Sequence, residues 1–345
     1  MPSFHDFRFL STDGKHKVFA RECTPDGEVR AVLQIAHGVA EHIYRYAPFM
    51  EFLAGNGFVV VANDHLGHGK TAENEQELCF FAEKDGWNDV VSDMDQLHKL
   101  TAAKYPDVPY FLFGHSMGSF LTRTYIIDHP EGLKGVIISG TGQNPAAVVA
   151  AGKLVAKLEM IDNGPMYHSP KLDKLAFGSY NKKYDHVRTN LDWLTRDEAI
   201  VDQYIADPLC GAMATAGMFH DMMGGLQYIW KTENLNKMNK ATPVYFMAGD
   251  GDPVGNYGEG VKKVYNRFLK VGCKDVKLKL YKDGRHEMLN ELNKDEVYAD
   301  ILDWLNSKIW IFSVDTITTV HHGKLYKLRA VHQHRPQYFY KALSR

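Results

Sequence analysis

The pentapeptide Gly114-His115-Ser116-Met117-Gly118 follows the apolar run Tyr110-Phe-Leu-Phe and precedes a helical pattern. A strand running into such a G-x-S-x-G turn and then into a helix presents its serine at the tip of a tight elbow, above a helix N-terminus. The chemistry open to it is nucleophilic acyl transfer, but a serine hydroxyl is too weakly acidic to attack unaided. A base and an orienting carboxylate are expected later in the chain, on loops after subsequent strands. Two such loops are present, Gly249-Asp250-Gly251-Asp252-Pro253-Val254 and Lys282-Asp283-Gly284-Arg285-His286-Glu287. The chain has 17 histidines, so what singles out His286 is its position directly after the last core strand. It would take the proton from Ser116 while the carboxylate holds its tautomer and stabilises the imidazolium. Asp250 and Asp252 compete for that carboxylate role. In G-x-x-D-x-V the glycine turns the chain off the strand and the valine packs back, a frame that favours Asp252 and leaves Asp250 to the turn.

The same chemistry needs two preorganised N–H donors for an oxyanion, each worth roughly 10²–10³ in rate. One is the amide of Met117, next to the nucleophile. The other is expected from His37-Gly38-Val39-Ala40-Glu41-His42, with Val39 N–H as donor and Gly38 letting the backbone turn inward.

Positioning these groups requires an ordered scaffold, and the hydrophobic pattern supplies one. Short apolar runs at 31–36, 58–62, 110–113, 136–139, 244–247 and 276–281 have strand character, and most are apolar on both faces, as in a covered parallel sheet. Helical patterns at 44–54, 87–103, 117–128, 260–269 and 296–307 fall between them, which predicts an α/β fold with a mostly parallel central sheet and helices on both faces. About a hundred residues separate the runs at 136–139 and 244–247, where one crossover helix would suffice. Their content is helical and amphipathic, and Thr195-Arg-Asp-Glu198 has the form of a capping box opening a helix that must stop before Asp207-Pro208. We expect an inserted helical cap lying over the crevice at the carboxyl ends of the strands.

Composition excludes other classes. The 40 Lys+Arg against 42 Asp+Glu provide no global field for a polyanion, so no nucleic-acid partner is expected. With 45% hydrophobic and 24% charged residues the chain is an ordinary globular one. Cys23, Cys79, Cys210 and Cys273 form no Cys-x-x-Cys unit, no apolar run reaches 18 residues, and the start of the chain lacks signal-peptide character. A soluble cytoplasmic protein with reduced thiols is the expectation.

These motifs together resemble the α/β-hydrolase superfamily, and within it the monoacylglycerol lipase and lysophospholipase branch of serine aminopeptidase-like hydrolases. Its H-G-x-G-E-H-x-x-R-Y pattern is matched by His37, Gly38, Glu41, His42, Arg45 and Tyr46, with Ala40 in place of the second glycine. Its D-x-x-G-H-G loop is matched by Asp64, Gly67, His68 and Gly69, and its G-H-S-M-G by Gly114 to Gly118. Leu194-Thr-Arg196, Val201-Asp202, Tyr204 and Asp207-Pro208-Leu209 resemble a cap segment of monoacylglycerol lipases, so the likeness spans about residues 20–308. It implies Ser116, Asp252 and His286 as triad and Val39 and Met117 as oxyanion donors. It also implies Gly38, Glu41, Arg45 and His115 beside the substrate, with Arg45 and His115 near its polar head.

Other motifs carry less. Gly67-His-Gly69-Lys70-Thr71 imitates the end of a P-loop, but Asp64 stands where that motif needs glycine. Asp64, His65 and His68 name no further metal ligand, so no metal and no cofactor are expected. Met213, Met218, Phe219, Met222 and Met223 either pack a helix or line an acyl tunnel.

The expected organisation is a core at 1–142, a cap at 143–219, a second core part at 220–308 and a basic tail at 309–345. The tail has six Lys+Arg and one acid, whereas residues 1–308 carry 34 Lys+Arg and 41 Asp+Glu, a net charge of −7. The tail is either a docking element for a partner or anionic surface, or an appendage without a role. The expected activity is hydrolysis of monoacylglycerol- or lysophospholipid-like esters through an acyl-enzyme, with transient contact between cap and lipid surfaces. Two alternatives stand beside it. One is an aminopeptidase or amidase with cap acids such as Glu159, Asp162 or Glu198 holding a free amine; the other is a non-catalytic small-molecule receptor.

Overall fold

The structure, a computed structural model, describes residues 1–309, 312–321 and 324–333. Eight strands form one sheet: β1 (Ser3–Leu10), β2 (Lys17–Thr24), β3 (Ala31–Ala36), β4 (Phe58–Asn63), β5 (Tyr110–His115), β6 (Gly135–Ser139), β7 (Val244–Gly249) and β8 (Val276–Tyr281). Their spatial order is β1-β2-β4-β3-β5-β6-β7-β8. From β4 to β8 every neighbouring pair is parallel, and only β1 with β2 and β2 with β4 are antiparallel. The sheet thus matches the expected α/β scaffold and adds an N-terminal hairpin that the hydrophobic runs did not mark.

The helices are α1 (Ala47–Ala54), α2 (Gly86–Lys104), α3 (Met117–Asp128), α4 (Ala146–Asn163), α5 (Pro170–Phe177), α6 (Glu198–Ala206), α7 (Ala216–Tyr228), α8 (Thr232–Leu235), α9 (Glu259–Lys270) and α10 (Lys294–Ile309). Alternation along the central strands decides which helix covers which face. Phe111, Phe113, Ile137 and Tyr245 join one core with Phe49 and Leu53 of α1 and Ile301 and Trp304 of α10. Leu112, Val136, Ile138 and Phe246 join another with α2, α3 and α9. Residues buried on both faces explain why these strands read as continuous apolar runs.

The stretch between β6 and β7 holds α4 to α8. The expected break at residue 219 falls inside α7, which is continuous from 216 to 228 and lays Gly225 against the Trp87 ring of α2 so closely that a methyl group there would overlap it. The capping box also resolves differently. Asp197, not Thr195, caps α6 by accepting from Ala199 N–H (3.1 Å), while the Thr195 hydroxyl donates to the Asn290 carbonyl (3.0 Å). At the start of the insertion, Arg123 is fully buried, donating to the Gly142 carbonyl (3.0 Å) and Gln143 Oε1 (3.3 Å). Burial pushes its guanidinium down to about 9.

Beyond α10, β9 (Phe312–His321) and β10 (Lys324–Gln333) pair antiparallel in a separate two-stranded sheet.

Candidate active site

Strand register sets the geometry. β3 has β4 on one side and β5 on the other, a switch point whose crevice opens at the carboxyl ends. Ala36 is level with Gly114, and Ser139 with His115, so the loops leaving β3, β5 and β6 converge. Ser116 is the first residue past β5, at φ 54° and ψ −121°, with its N–H bonded to the Ser139 carbonyl (3.0 Å). Such a strained conformation in a residue with a Cβ persists only where the surroundings impose it. Methyl groups at Gly114 or Gly118 would overlap Thr122 and the Ala36 carbonyl respectively, so both glycines are needed for β5, α3 and β3 to approach. Met117 opens α3, and its N–H is one of the orphan donors of that helix.

β7 and β8 run level to Gly249 and Tyr281, which brings their following loops together. His286 Nδ1 and Asp252 Oδ2 lie 3.0 Å apart, and Asp252 Oδ1 accepts from Val254 N–H (2.8 Å). Asp252 is fully buried. Asp250, the competing acid, is exposed and accepts from Asp283 N–H (2.7 Å), which gives it the turn role. His286 Nε2 is buried and makes no hydrogen bond among the described residues. The ring sits 4.6 Å from that of His115 and 5.1 Å from that of Trp193. Gly140, at φ +58°, admits both histidines: a methyl group there would come within 3.0 Å of His286 Cε1 and 3.1 Å of His115 Cε1.

Burial alone would depress the His286 imidazole, but the Asp252 carboxylate, aided by Glu287 and Glu41, holds it above its ordinary value. His115 goes the other way, pushed down to about 4 by burial and by the neighbouring His286, and is neutral at pH 7.

Ser116 and His286 line one cavity of about 450 Å³, together with Gly38, Val39, Glu41 and His115. A methyl group at Gly38 would lie 3.2 Å from Ser116 Cβ, so the loop after β3 passes directly over the serine. Ala40 takes φ +54°, which explains the glycine that the resembling pattern has at this position. The cap closes the far side with Phe177, Val187, Leu191, Trp193, Leu194 and Met213. Of the Met-rich stretch, only Met213 reaches the cavity; Met218, Phe219 and Met222 are buried in the core beneath.

Arg45 departs from its expected place beside the substrate. It does not line the cavity; its guanidinium is taken up by Glu41 and Glu287 behind the wall. Three contributors carried little signal in the sequence. Glu287 adjoins the histidine and binds Arg45, the Tyr204 hydroxyl donates to the Ala40 carbonyl (2.7 Å), and the Trp193 ring packs on His286.

Among the described residues one cluster brings three metal-ligand atoms within 4.8 Å, those of His42, Asp207 and Cys210. His42 Nε2 is already paired with Asp207 (2.8 Å), and burial holds the Cys210 thiol far above its usual value, so this set serves as a contact between loop and cap. Asp64 accepts from Ile43 and Lys70 N–H groups (2.9 and 2.7 Å), a loop-building role.

With this geometry in view, relatives can be compared. A family model described as serine aminopeptidase, S33, matches residues 27–293. The chain belongs to the serine aminopeptidase S33 family. Proteins of similar sequence include a monoacylglycerol lipase from Mycolicibacterium smegmatis, 28% identical over 289 residues, covering 83% of this chain and 91% of the relative. A monoglyceride lipase from Mus musculus is 26% identical over 306 residues, covering 87% and 90%. Among solved structures, a thermostable carboxyl esterase from Bacillus coagulans superimposes with a TM-score of 0.83 at 33% identity, covering 89% of this chain and 99% of that one. The fold is that of the α/β-hydrolases. Among the described residues no helix is long and apolar enough to cross a membrane.

Proposed function

We propose that this S33 hydrolase cleaves monoacylglycerol-like carboxylic esters through an acyl-enzyme on Ser116. The observation that carries the reading is the meeting of the elbow serine and the buried Asp252–His286 pair in one cavity walled by apolar cap residues. Ser116 Oγ attacks the ester carbonyl while His286 takes its proton, and the Val39 and Met117 N–H groups receive the oxyanion. Collapse of the tetrahedral intermediate expels the alcohol, protonated by His286. Water activated by the same imidazole then releases the acid and regenerates Ser116. Asp252 keeps the Nδ1 proton in place, so that Nε2 faces the nucleophile.

The apolar wall favours an acyl chain, each buried methylene contributing about 0.8 kcal/mol. Leu154, Leu158 and Ile161 of α4 are exposed, at spacings that put them along one side of the helix, with Lys157 exposed beside them. This stripe supports transient docking on a lipid surface, where such substrates reside. The four free thiols support a cytoplasmic location. Of the cap acids, Asp173 alone lines the cavity, and the three named for the amidase reading stand elsewhere. Glu159 pairs with Ser169 and Lys171, Glu198 with Arg188, and neither these acids nor Asp162 line the cavity.

The test is a hydrolysis profile across acyl lengths, with monoacylglycerols, lysophospholipids and aminoacyl anilides in parallel. We expect kcat/KM to rise from acetyl to longer acyl monoacylglycerols and to vanish in Ser116→Ala. Anilide cleavage outpacing every ester would overturn the reading, and failure of a fluorophosphonate to label the native protein would revive the receptor alternative.

A further inference from the structure

Arg45 lacks the substrate contact expected of it, and its surroundings give it another task. Nη1 donates to Glu41 Oε2 (2.6 Å) and Glu287 Oε1 (2.8 Å), and Nη2 to Glu287 Oε2 (2.7 Å). Glu41 Oε1 in turn accepts the Gly38 N–H (2.6 Å) and the Tyr46 hydroxyl (2.8 Å). Gly38 immediately precedes Val39, and Glu287 immediately follows His286. On the third side, the Tyr204 ring of α6 lies 4.7 Å from the guanidinium while its hydroxyl binds the Ala40 carbonyl. One buried cation therefore touches the oxyanion loop, the histidine loop and the cap.

A bidentate guanidinium fork is rigid in a way that two separate hydrogen bonds are not. Shifting the Glu287 loop drags Arg45, then Glu41, then the Gly38 amide. The arrangement is also unbalanced in charge, since two carboxylates face one guanidinium. We propose that Arg45 is a positioning residue that locks the oxyanion loop to the histidine loop through Glu41 and Glu287 and sets the charge surrounding His286. It rests on the serine hydrolase reading of the site.

The charged and titratable groups around His286 give the proposal a sign. Asp252 faces it from the loop after β7, Glu287 from its own loop, Glu41 from the loop after β3 and His115 from the end of β5, with Arg45 behind the two glutamates. The carboxylates favour the imidazolium, while burial opposes it. Removing Arg45 bares Glu41 and Glu287, so the histidine must hold its proton to higher pH. Neutralising Glu287 does the reverse.

The full-length chain and its Arg45→Lys, Arg45→Met, Glu287→Gln and Arg45→Met/Glu287→Gln variants test this, with thermal melts fixing the folded fraction. The readouts are kcat and KM on a soluble short-chain ester, and the pH dependence of fluorophosphonate labelling of Ser116. For Arg45→Met we expect kcat to fall about 100-fold, the scale of one lost oxyanion donor, with KM within about threefold. The acid limb of labelling should move up by about half a unit or more in Arg45→Met and down in Glu287→Gln. In the double variant the midpoint should return towards the native one while kcat stays low. A raised KM with unchanged kcat would overturn the proposal in favour of a substrate contact. Rates that follow only the folded fraction, with unmoved midpoints, would reduce Arg45 to a structural role and overturn it too. Should Arg45→Met not fold, Arg45→Lys and Glu287→Gln carry the same comparison. A native protein that labels but hydrolyses no ester sinks the ester reading alone, because labelling rates still read the coupling; one that does not label sinks both.

Discussion

Ala40 and Ser116 both stand at φ +54° and both line the same cavity, so backbone strain is concentrated where the chemistry is expected. A Cβ in the left-handed region costs about 1–2 kcal/mol, partly offset in the glycine variant by a more disordered unfolded chain. Ala40→Gly should therefore raise stability by up to about 1 kcal/mol; a lower unfolding temperature would count against the strain argument. Beneath the loop after β3, His37, His65 and His68 are fully buried, with the His65 and His68 ring centroids 4.1 and 5.2 Å from that of His37. Burial holds His65 down to about 3 and His68 to about 4, and His37 well below its usual value. These folded-state values lie below the unfolded one near 6.5, so the unfolded chain gains protons first as pH falls. Stability is then lost between pH 6.5 and about 4, by up to about 1.4 kcal/mol per unit for each histidine. His65 has both ring nitrogens buried without hydrogen-bond partners among the described residues, so His65→Phe should flatten the slope measured by urea unfolding at pH 7.5, 6.5 and 5.5. A slope parallel to the native one would refute this. At this scale the sequence singled out Ser116, His286 and Asp252 because each lies on a loop or turn that follows a strand. It could not show where Arg45 points, since a motif match carries no side-chain direction.

At the scale of elements, burial on both faces is what made the central strands readable. The five central strands have every residue covered, and continuous apolar runs revealed them. β1 is mostly exposed and alternates Phe7 and Phe9 with Asp6 and Arg8, a period-two signal spread over polar residues and easily passed over. α4 raises a test of its own. Leu154→Glu with Leu158→Glu removes two of the three residues of its exposed apolar stripe without touching the cavity. Binding to sedimented lipid vesicles should drop at least about tenfold, since two exposed leucines contribute on the order of 3 kcal/mol when covered. The kcat/KM on a soluble short ester should stay native. Undiminished vesicle binding would assign lipid contact to another surface.

Over the whole molecule, charge divides between an acidic body and a basic C-terminal stretch, and the hydrogen-bonded strands divide likewise. β9 and β10 pair only with each other among the described strands. An isolated two-stranded ribbon is marginally stable at best and contributes no ladder to the catalytic sheet. Deleting residues 310–345 should leave the unfolding temperature and kcat/KM unchanged; a large drop in either would give the stretch a role in the hydrolase body. The insertion between β6 and β7 has the opposite standing, since it supplies most of the apolar cavity wall yet leaves the sheet through a short segment. That exit is fixed from below by Arg123, which bonds residues 142 and 143 from within α3. A fixed point of departure lets the covering helices diverge in sequence while the loops beneath keep their coordinates. Exchange of cap segments between paralogues, spliced just after Gln143 but keeping the recipient's Trp193 and Tyr204, which touch His286 and Ala40, should then transplant acyl preference as a module and leave the catalytic rate constant with the recipient.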